Sequence, residues 1–153
     1  YTLFKKGYAV SPAHAYSKYL DVGKNAYVER EKMEPTKLID TIIKCGGVPV
    51  LAHPKSLKFN NNDLEAFINI FKKAGLCGIE VYNPHNSAEK REELLELCDK
   101  YNLIPTVGSD FHNFDSNIKI GLGIGENLKI SDYSIITRLK DAKNKIDENN
   151  KLR

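Results

Sequence analysis

Three short apolar runs rich in β-branched residues, Val48–Ala52, Gly78–Tyr82 and Leu103–Val107, alternate with longer stretches whose apolar residues recur at helical spacing. Leu38, Ile39, Ile42 and Ile43 form one such face, Leu64, Phe67, Ile68 and Phe71 a second, and Leu94, Leu97, Cys98 and Tyr101 a third. A fourth face, Ile135, Leu139, Ala142 and Ile146, marks a C-terminal helix. Strands that are apolar on both faces and separated by helices predict a parallel sheet covered by helices, an α/β fold. Pro35 suits a first helical position, and Gly46-Gly47 and Ala74-Gly75 are helix endings. Asn62 with Glu65, and Asn86 with Glu89, have the spacing of capping boxes. Pro49 belongs at the start of its strand, because proline donates nothing to a ladder.

Residues 1–34 read differently, as a lid-like segment of short helix, turn and irregular chain, with a helix over Ala13–Leu20 after Ser11-Pro12. Residues 35–130 hold three strand–helix units, and 131–153 a C-terminal helix whose polar stretch Lys140–Arg153 ends as a solvated helix fraying into a tail. Three units are too few to close a barrel, and the open sheet edge offers a route to self-association. The chain begins at Tyr1 rather than Met, as a fragment or processed product does.

The polar residues that matter follow the strands. The first run leads into His53-Pro54, the second into Asn83-Pro84-His85-Asn86, and the third into Gly108-Ser109-Asp110-Phe111-His112. In parallel α/β folds the carboxyl ends of the strands share one rim, and sites form there. Three of the four histidines and Asp110 are thus expected on one rim, with His14 outside it. Asp110 and His112, one residue apart, would point the same way from an extended segment. Imidazole nitrogen and carboxylate oxygen suit Zn²⁺, Mn²⁺ and Fe²⁺, ions that polarise a phosphoryl oxygen and supply hydroxide near neutral pH. Each residue alone has a plainer reading. His53 fits a hydrogen-bonded loop, and Asn-Pro-His-Asn is turn chemistry. The coincidence at three successive strand ends is what points to a metal site.

Other chemistry is excluded. Cys45, Cys77 and Cys98 are odd in number, widely spaced and set in apolar patterns, so buried thiols in a reducing cytoplasm are expected rather than disulfides or a zinc knot. The net charge of +3 permits an anionic substrate without demanding nucleic acid. No apolar run approaches the ~20 residues of a membrane span, and Tyr1–Val10 lacks the apolar stretch of a signal peptide. Gly121-Leu-Gly-Ile-Gly125 lacks the ending of a phosphate loop and reads as turns.

The blocks Gly46-Gly-Val-Pro-Val-Leu-Ala-His-Pro54, Gly78-Ile-Glu-Val-Tyr-Asn-Pro-His85 and Gly108-Ser-Asp-Phe-His112, in this order and spacing, resemble the C-terminal portion of the PHP (polymerase and histidinol phosphatase) family. The resemblance is to its small bacterial phosphoesterases, often labelled nucleotide phosphatases, and extends upstream through Lys18-Tyr-Leu and Gly23-Lys-Asn-Ala-Tyr-Val28. It implies part of a distorted (β/α)₇ barrel with two or three divalent metals (Mn, Zn, Fe or Mg) at the strand ends. By resemblance His53, Asp110 and His112 are metal ligands, and Asp110 and His112 serve catalysis. His85, Lys18 and Lys24 face the substrate, a solvated surface being the plain alternative for both lysines. The implied activity is hydrolysis of phosphomonoesters or diesters: nucleotides such as 3′,5′-bisphosphates, other phosphorylated small molecules, or short RNA or DNA ends. A non-catalytic scaffold module is the alternative. The family's opening His-x-His and the further Asp, His and Glu ligands have no counterpart here. Glu80, inside a strand, and the acidic run 92–99, on a helix, are not expected to replace them.

Overall fold

The computed structural model describes residues 1–111 and 133–152. The chain divides into two compact units, Tyr1–Met33 and Glu34–Arg153.

The first unit contains α1 (Thr2–Lys5) and α2 (Pro12–Ala15), the latter running on into a wide turn over Tyr16–Leu20. Ser11 caps α2 by accepting a hydrogen bond from the His14 backbone N–H, and Pro12 occupies the first helical position. His14 Nδ1 in turn accepts from the Val10 N–H at 3.2 Å, so this histidine serves local chain geometry.

The second unit has the order α3 (Pro35–Lys44), β1 (Val50–Leu51), a tight turn over Pro54–Leu57, α4 (Asn61–Ala74), β2 (Gly78–Tyr82), α5 (Ala88–Lys100), β3 (Ile104–Val107) and α6 (Ser134–Lys151). The three strands lie side by side in chain order and pair in parallel. This is the α/β arrangement expected, a three-stranded part of what a barrel would require. The first strand is shorter than the run Val48–Ala52: Pro49 precedes the ladder, although its carbonyl accepts from the Cys77 N–H at 2.9 Å.

Alternation on β2 decides what packs where. Ile79 and Val81, both fully buried, join Leu64, Ile68 and Leu94 from α4 and α5 in the core. Glu80, between Ile79 and Val81, occupies the opposite face, whereas Tyr82 is partly buried and packs against the core. The helix ends correct the capping assignments. Asn60, not Asn62, caps α4, accepting from the Asp63 N–H, and Ser87, not Asn86, caps α5. Asn86 is instead buried and donates to the Val81 carbonyl. Gly75 ends α4 in the left-handed region at φ 109°, where a side chain would meet Ile43 Cδ1. The C-terminal helix continues to Lys151, held by buried Ile146 and by Asn150 Nδ2 donating to the Ile43 carbonyl. The cysteines differ among themselves: Cys98 is buried and Cys77 partly so, but Cys45 is exposed, because it sits at the C-cap of α3 where the apolar face has ended. Among the described residues no helix is long and apolar enough to cross a membrane.

Candidate functional site

The site grows from the carboxyl ends of the three strands. Just beyond β1 the chain turns sharply, with His53 in the left-handed region at φ 48°. Its carbonyl accepts from both the N–H and the hydroxyl of Ser56, which pins the turn. Past β2, Asn83 is buried and its Oδ1 accepts from the His85 N–H at 2.9 Å. Its Nδ2 has no hydrogen-bond partner among the described residues. Lys55 Nζ reaches across to the His85 carbonyl at 2.8 Å, tying the first loop to the second. Beyond β3, Asp110 also adopts the left-handed region, at φ 57°. The extended geometry expected for Asp110-x-His112 therefore does not hold at Asp110. His112 and Gly121–Gly125 lie outside the described residues.

These turns bring three expected residues together from three strand ends. His53 Nε2 faces Asp110 Oδ1 at 3.6 Å, and His85 Nε2 faces Asp110 Oδ2 at 3.4 Å. Asp110 thus stands between the two imidazoles, one oxygen toward each. The histidine side chains are about half exposed, whereas the Asp110 side chain is only 20% exposed.

A fourth residue joins them that sequence reasoning set aside. Glu80, within β2, accepts from the His53 N–H at 2.9 Å, and the same Oε2 lies 3.6 Å from His53 Nδ1. Its side chain is only 12% exposed. Space for it exists because residue 108 is glycine: a Cβ there would stand 2.3 Å from Glu80 Oε1. Immediately after Glu80 the β2–β3 register slips, with Glu80 opposite Thr106 and Tyr82 opposite Val107. Such bulges re-aim side chains beside sites. The missed signal was a lone carboxylate in an otherwise apolar strand, since an acid on a buried strand needs a partner.

The donors suit a hard or borderline divalent cation in kind. Two ligands bound at ~2.1 Å with tetrahedral angles stand about 3.4 Å apart, close to the spacing of each histidine from Asp110. Among the described residues, however, no three His, Cys, Asp or Glu side chains form a group placed to hold one metal ion. Lys18 and Lys24 belong to the first unit. Lys18 Nζ lies 5.0 Å from the Tyr19 ring centre, and the Lys24 N–H donates to the Asp21 carbonyl.

Comparison with known proteins supplies the context. A 5′-3′ exoribonuclease of Haemophilus influenzae is 30% identical over 110 residues, covering 72% of this chain and 40% of the relative. A 3′,5′-nucleoside bisphosphate phosphatase of Chromobacterium violaceum is 32% identical over 97 residues, covering 63% of this chain and 34% of the relative. The chain therefore spans about two fifths or less of these relatives' length. A crystal structure described as a metal-dependent phosphoesterase of Bifidobacterium adolescentis superposes with a TM-score of 0.67 at 25% identity, covering 92% of this chain and 47% of that one. An amidohydrolase structure from Chromobacterium violaceum, with bound sulfate and no metal, gives a TM-score of 0.56 at 30% identity, covering 72% of this chain and 39% of that one. No family model matches the chain. With the Ala-His-Pro, Asn-Pro-His and Gly-Ser-Asp blocks at three adjacent parallel strand ends, and relatives and folds of this kind, the chain belongs to the PHP family of phosphoesterases.

Proposed function

We propose that the domain to which this chain contributes hydrolyses phosphoesters with the help of divalent metal ions. The substrates fitting its relatives' names are nucleotides such as 3′,5′-bisphosphates, or oligonucleotide ends. The observation carrying this reading is the meeting of His53 Nε2 and Asp110 Oδ1 at 3.6 Å, from strand ends far apart in sequence, at a spacing natural to two ligands of one metal. His53 and Asp110 would hold the ion together with His112, and the remaining ligands would come from chain not present here. The bound metal would supply Lewis acidity and a hydroxide at neutral pH.

The chain's own residues do the rest. Asp110 is shielded enough to stay fixed and offers its second oxygen, Oδ2, to His85. That contact holds the half-exposed His85 ring at the rim, where it is proposed to meet a phosphate oxygen of the substrate. Asp110 also stands where a carboxylate can steer the attacking water and take its proton. Lys18 and Lys24 are proposed to meet the substrate's phosphates.

The test is phosphate release from a 3′,5′-bisphosphate by the longer parent protein in Mn²⁺. His53→Ala, Asp110→Asn and His112→Ala are each expected to lower turnover more than about 100-fold, since the loss of a supporting residue around a metal already costs 10–100-fold. Unchanged turnover in any of the three removes that residue from the site; unchanged turnover in all removes the proposal.

A second reading is a non-catalytic module that binds a partner; such a module would have lost its metal ligands, and the presence of His53, Asp110 and His112 in the sequence speaks against it. Elemental analysis of the parent after Mn²⁺ loading separates the two. Two or three ions per chain with phosphate release exclude the module, and none supports it.

A further inference from the structure

We propose that the first unit, Tyr1–Met33, is a binding surface for single-stranded nucleic acid, on which exposed tyrosines stack the bases and neighbouring lysines take the phosphates. The inference goes beyond the hydrolysis proposed for the strand ends: it concerns binding alone and needs no metal.

Three observations carry it. First, the unit buries its small residues and exposes its large ones. Within Tyr1–Met33, all of it described, the only buried residues are Ala9 and Ala15. Tyr1, Tyr8 and Tyr16 are each more than half exposed, and Phe4 and Tyr27 are exposed as well. Five of the chain's eight tyrosines fall in its first 27 residues. Scattered apolar residues on a surface are ordinary, but rings concentrated in one short segment mark a surface made for contact. Second, the charge lies in the same segment. Residues 1–33 hold six Lys and Arg against three Asp and Glu, which is the whole of the chain's net charge of +3. Asp21, the one acid before Glu29, keeps its Oδ1 on the Val22 N–H. Third, cations and rings are interleaved. Lys5 Nζ lies 4.9 Å from the Tyr1 ring centre, and Lys18 Nζ 5.0 Å from that of Tyr19. The Tyr19 hydroxyl donates to the Tyr8 carbonyl at 3.2 Å, which ties two of the aromatic positions together.

These features select the occupant. A single strand offers open base faces and a regular row of negative charges, and a surface of rings and lysines matches both at once. A duplex hides its base faces and leaves only charge to act. A lipid surface is a poorer match, because the helical stretches Thr2–Lys5 and Pro12–Leu20 are short, whereas helices that lie in an interface offer a long apolar face.

The test is binding of a short uridine oligonucleotide without terminal phosphates, in EDTA, to the 153-residue chain. The chain has no Trp, so its emission comes from tyrosine and reports stacking by quenching. Affinity should fall with salt, with a log–log slope of about −0.7 for each phosphate contacted. Inorganic polyphosphate should bind at least about tenfold more weakly, since it brings charge without bases. Tyr8→Leu and Tyr16→Leu keep apolar bulk but remove the ring, and each should weaken binding about fivefold or more. Lys18→Gln should lessen the salt slope by about 0.7. Tyr133→Leu, at an exposed tyrosine of the second unit, should leave affinity unchanged. Polyphosphate bound as tightly as the strand, wild-type binding by both tyrosine variants of the first unit, or stronger partition onto phosphatidylcholine–phosphatidylserine vesicles than onto the strand overturns the proposal. The longer parent protein must bind the strand too; failure there would mean that the rest of the domain covers these rings, and the proposal falls. A parent that binds no strand but releases phosphate from a 3′,5′-bisphosphate removes this surface and leaves the proposed hydrolysis standing. Strand binding without phosphate release does the reverse.

Discussion

The two ends of the same sheet use polar residues in opposite ways. At the amino ends of the strands, side chains satisfy the backbone. Arg138 donates to the Leu103 carbonyl, Lys72 to the Asn102 carbonyl and Asn150 to the Ile43 carbonyl. Arg138 and Lys72, with Asn102, also line a cleft of about 350 Å³ there, and these two cations are engaged by backbone carbonyls. At the carboxyl ends, polar side chains face one another. Two imidazoles flank one carboxylate at 3.4 and 3.6 Å, and a second carboxylate stands behind one of them. The difference teaches where to look for chemistry. Polar groups that close backbone hydrogen bonds stabilise, whereas polar groups held against each other on a rigid rim are arranged for something that arrives.

Mutations under the sheet should therefore change stability and spare the rim. The largest stability effect is expected from Leu94→Ala, since Leu94 is fully buried between α5 and β2. Truncation there should cost about 2–5 kcal/mol in a urea melt, with Zn²⁺ binding per folded molecule unchanged. A comparable loss of binding would show that the two ends are not separable. Arg138→Leu comes next, at about 1 kcal/mol, for the Leu103 carbonyl it leaves without this donor. Asn60→Ala should cost a similar ~1 kcal/mol by uncapping α4, whereas Asn62→Ala should cost little. Equal losses at both positions would restore the cap that the sequence spacing suggested.

How much of this was legible in the sequence follows from the same contrast. The strands and their parallel arrangement, most of the helix faces and the gathering of His53, His85 and Asp110 depend on periodicity and on the parallel rule, both of which act over a few residues. Those features could be read. Glu80 could not be placed, because its role depends on the left-handed turn at His53 and on the empty space at Gly108, each in another segment of the chain. The caps moved by one or two residues for a related reason. Asn62–Glu65 and Asn86–Glu89 have the right spacing, but Asn60 and Ser87 begin the helices, and buried Asn86 is drawn away to the Val81 carbonyl. The geometry of Asp110 was misread as extended because a positive φ at a non-glycine residue leaves no mark in the sequence.

The smallest effects are expected at the cysteines, and they sharpen the contrast by burial alone. Cys45 is exposed at the end of α3, so Cys45→Ser should change stability by no more than about 0.5 kcal/mol. At pH 8 a thiol reagent should modify Cys45 first. Cys98 should resist until the protein unfolds, because burial pushes its thiol up to about 11. The sign of the accompanying pH effect is fixed. The folded chain keeps Cys98 neutral, while the unfolded chain ionises it near the ordinary thiol value of 9.0. The stability tied to the neutral thiol is thus fully present below pH 9.0 and is lost as the pH rises toward about 11. Cys98→Ala should flatten that alkaline decline while leaving the imidazoles at the other end of the sheet untouched. An unaltered decline would mean that groups other than this thiol set the alkaline limit.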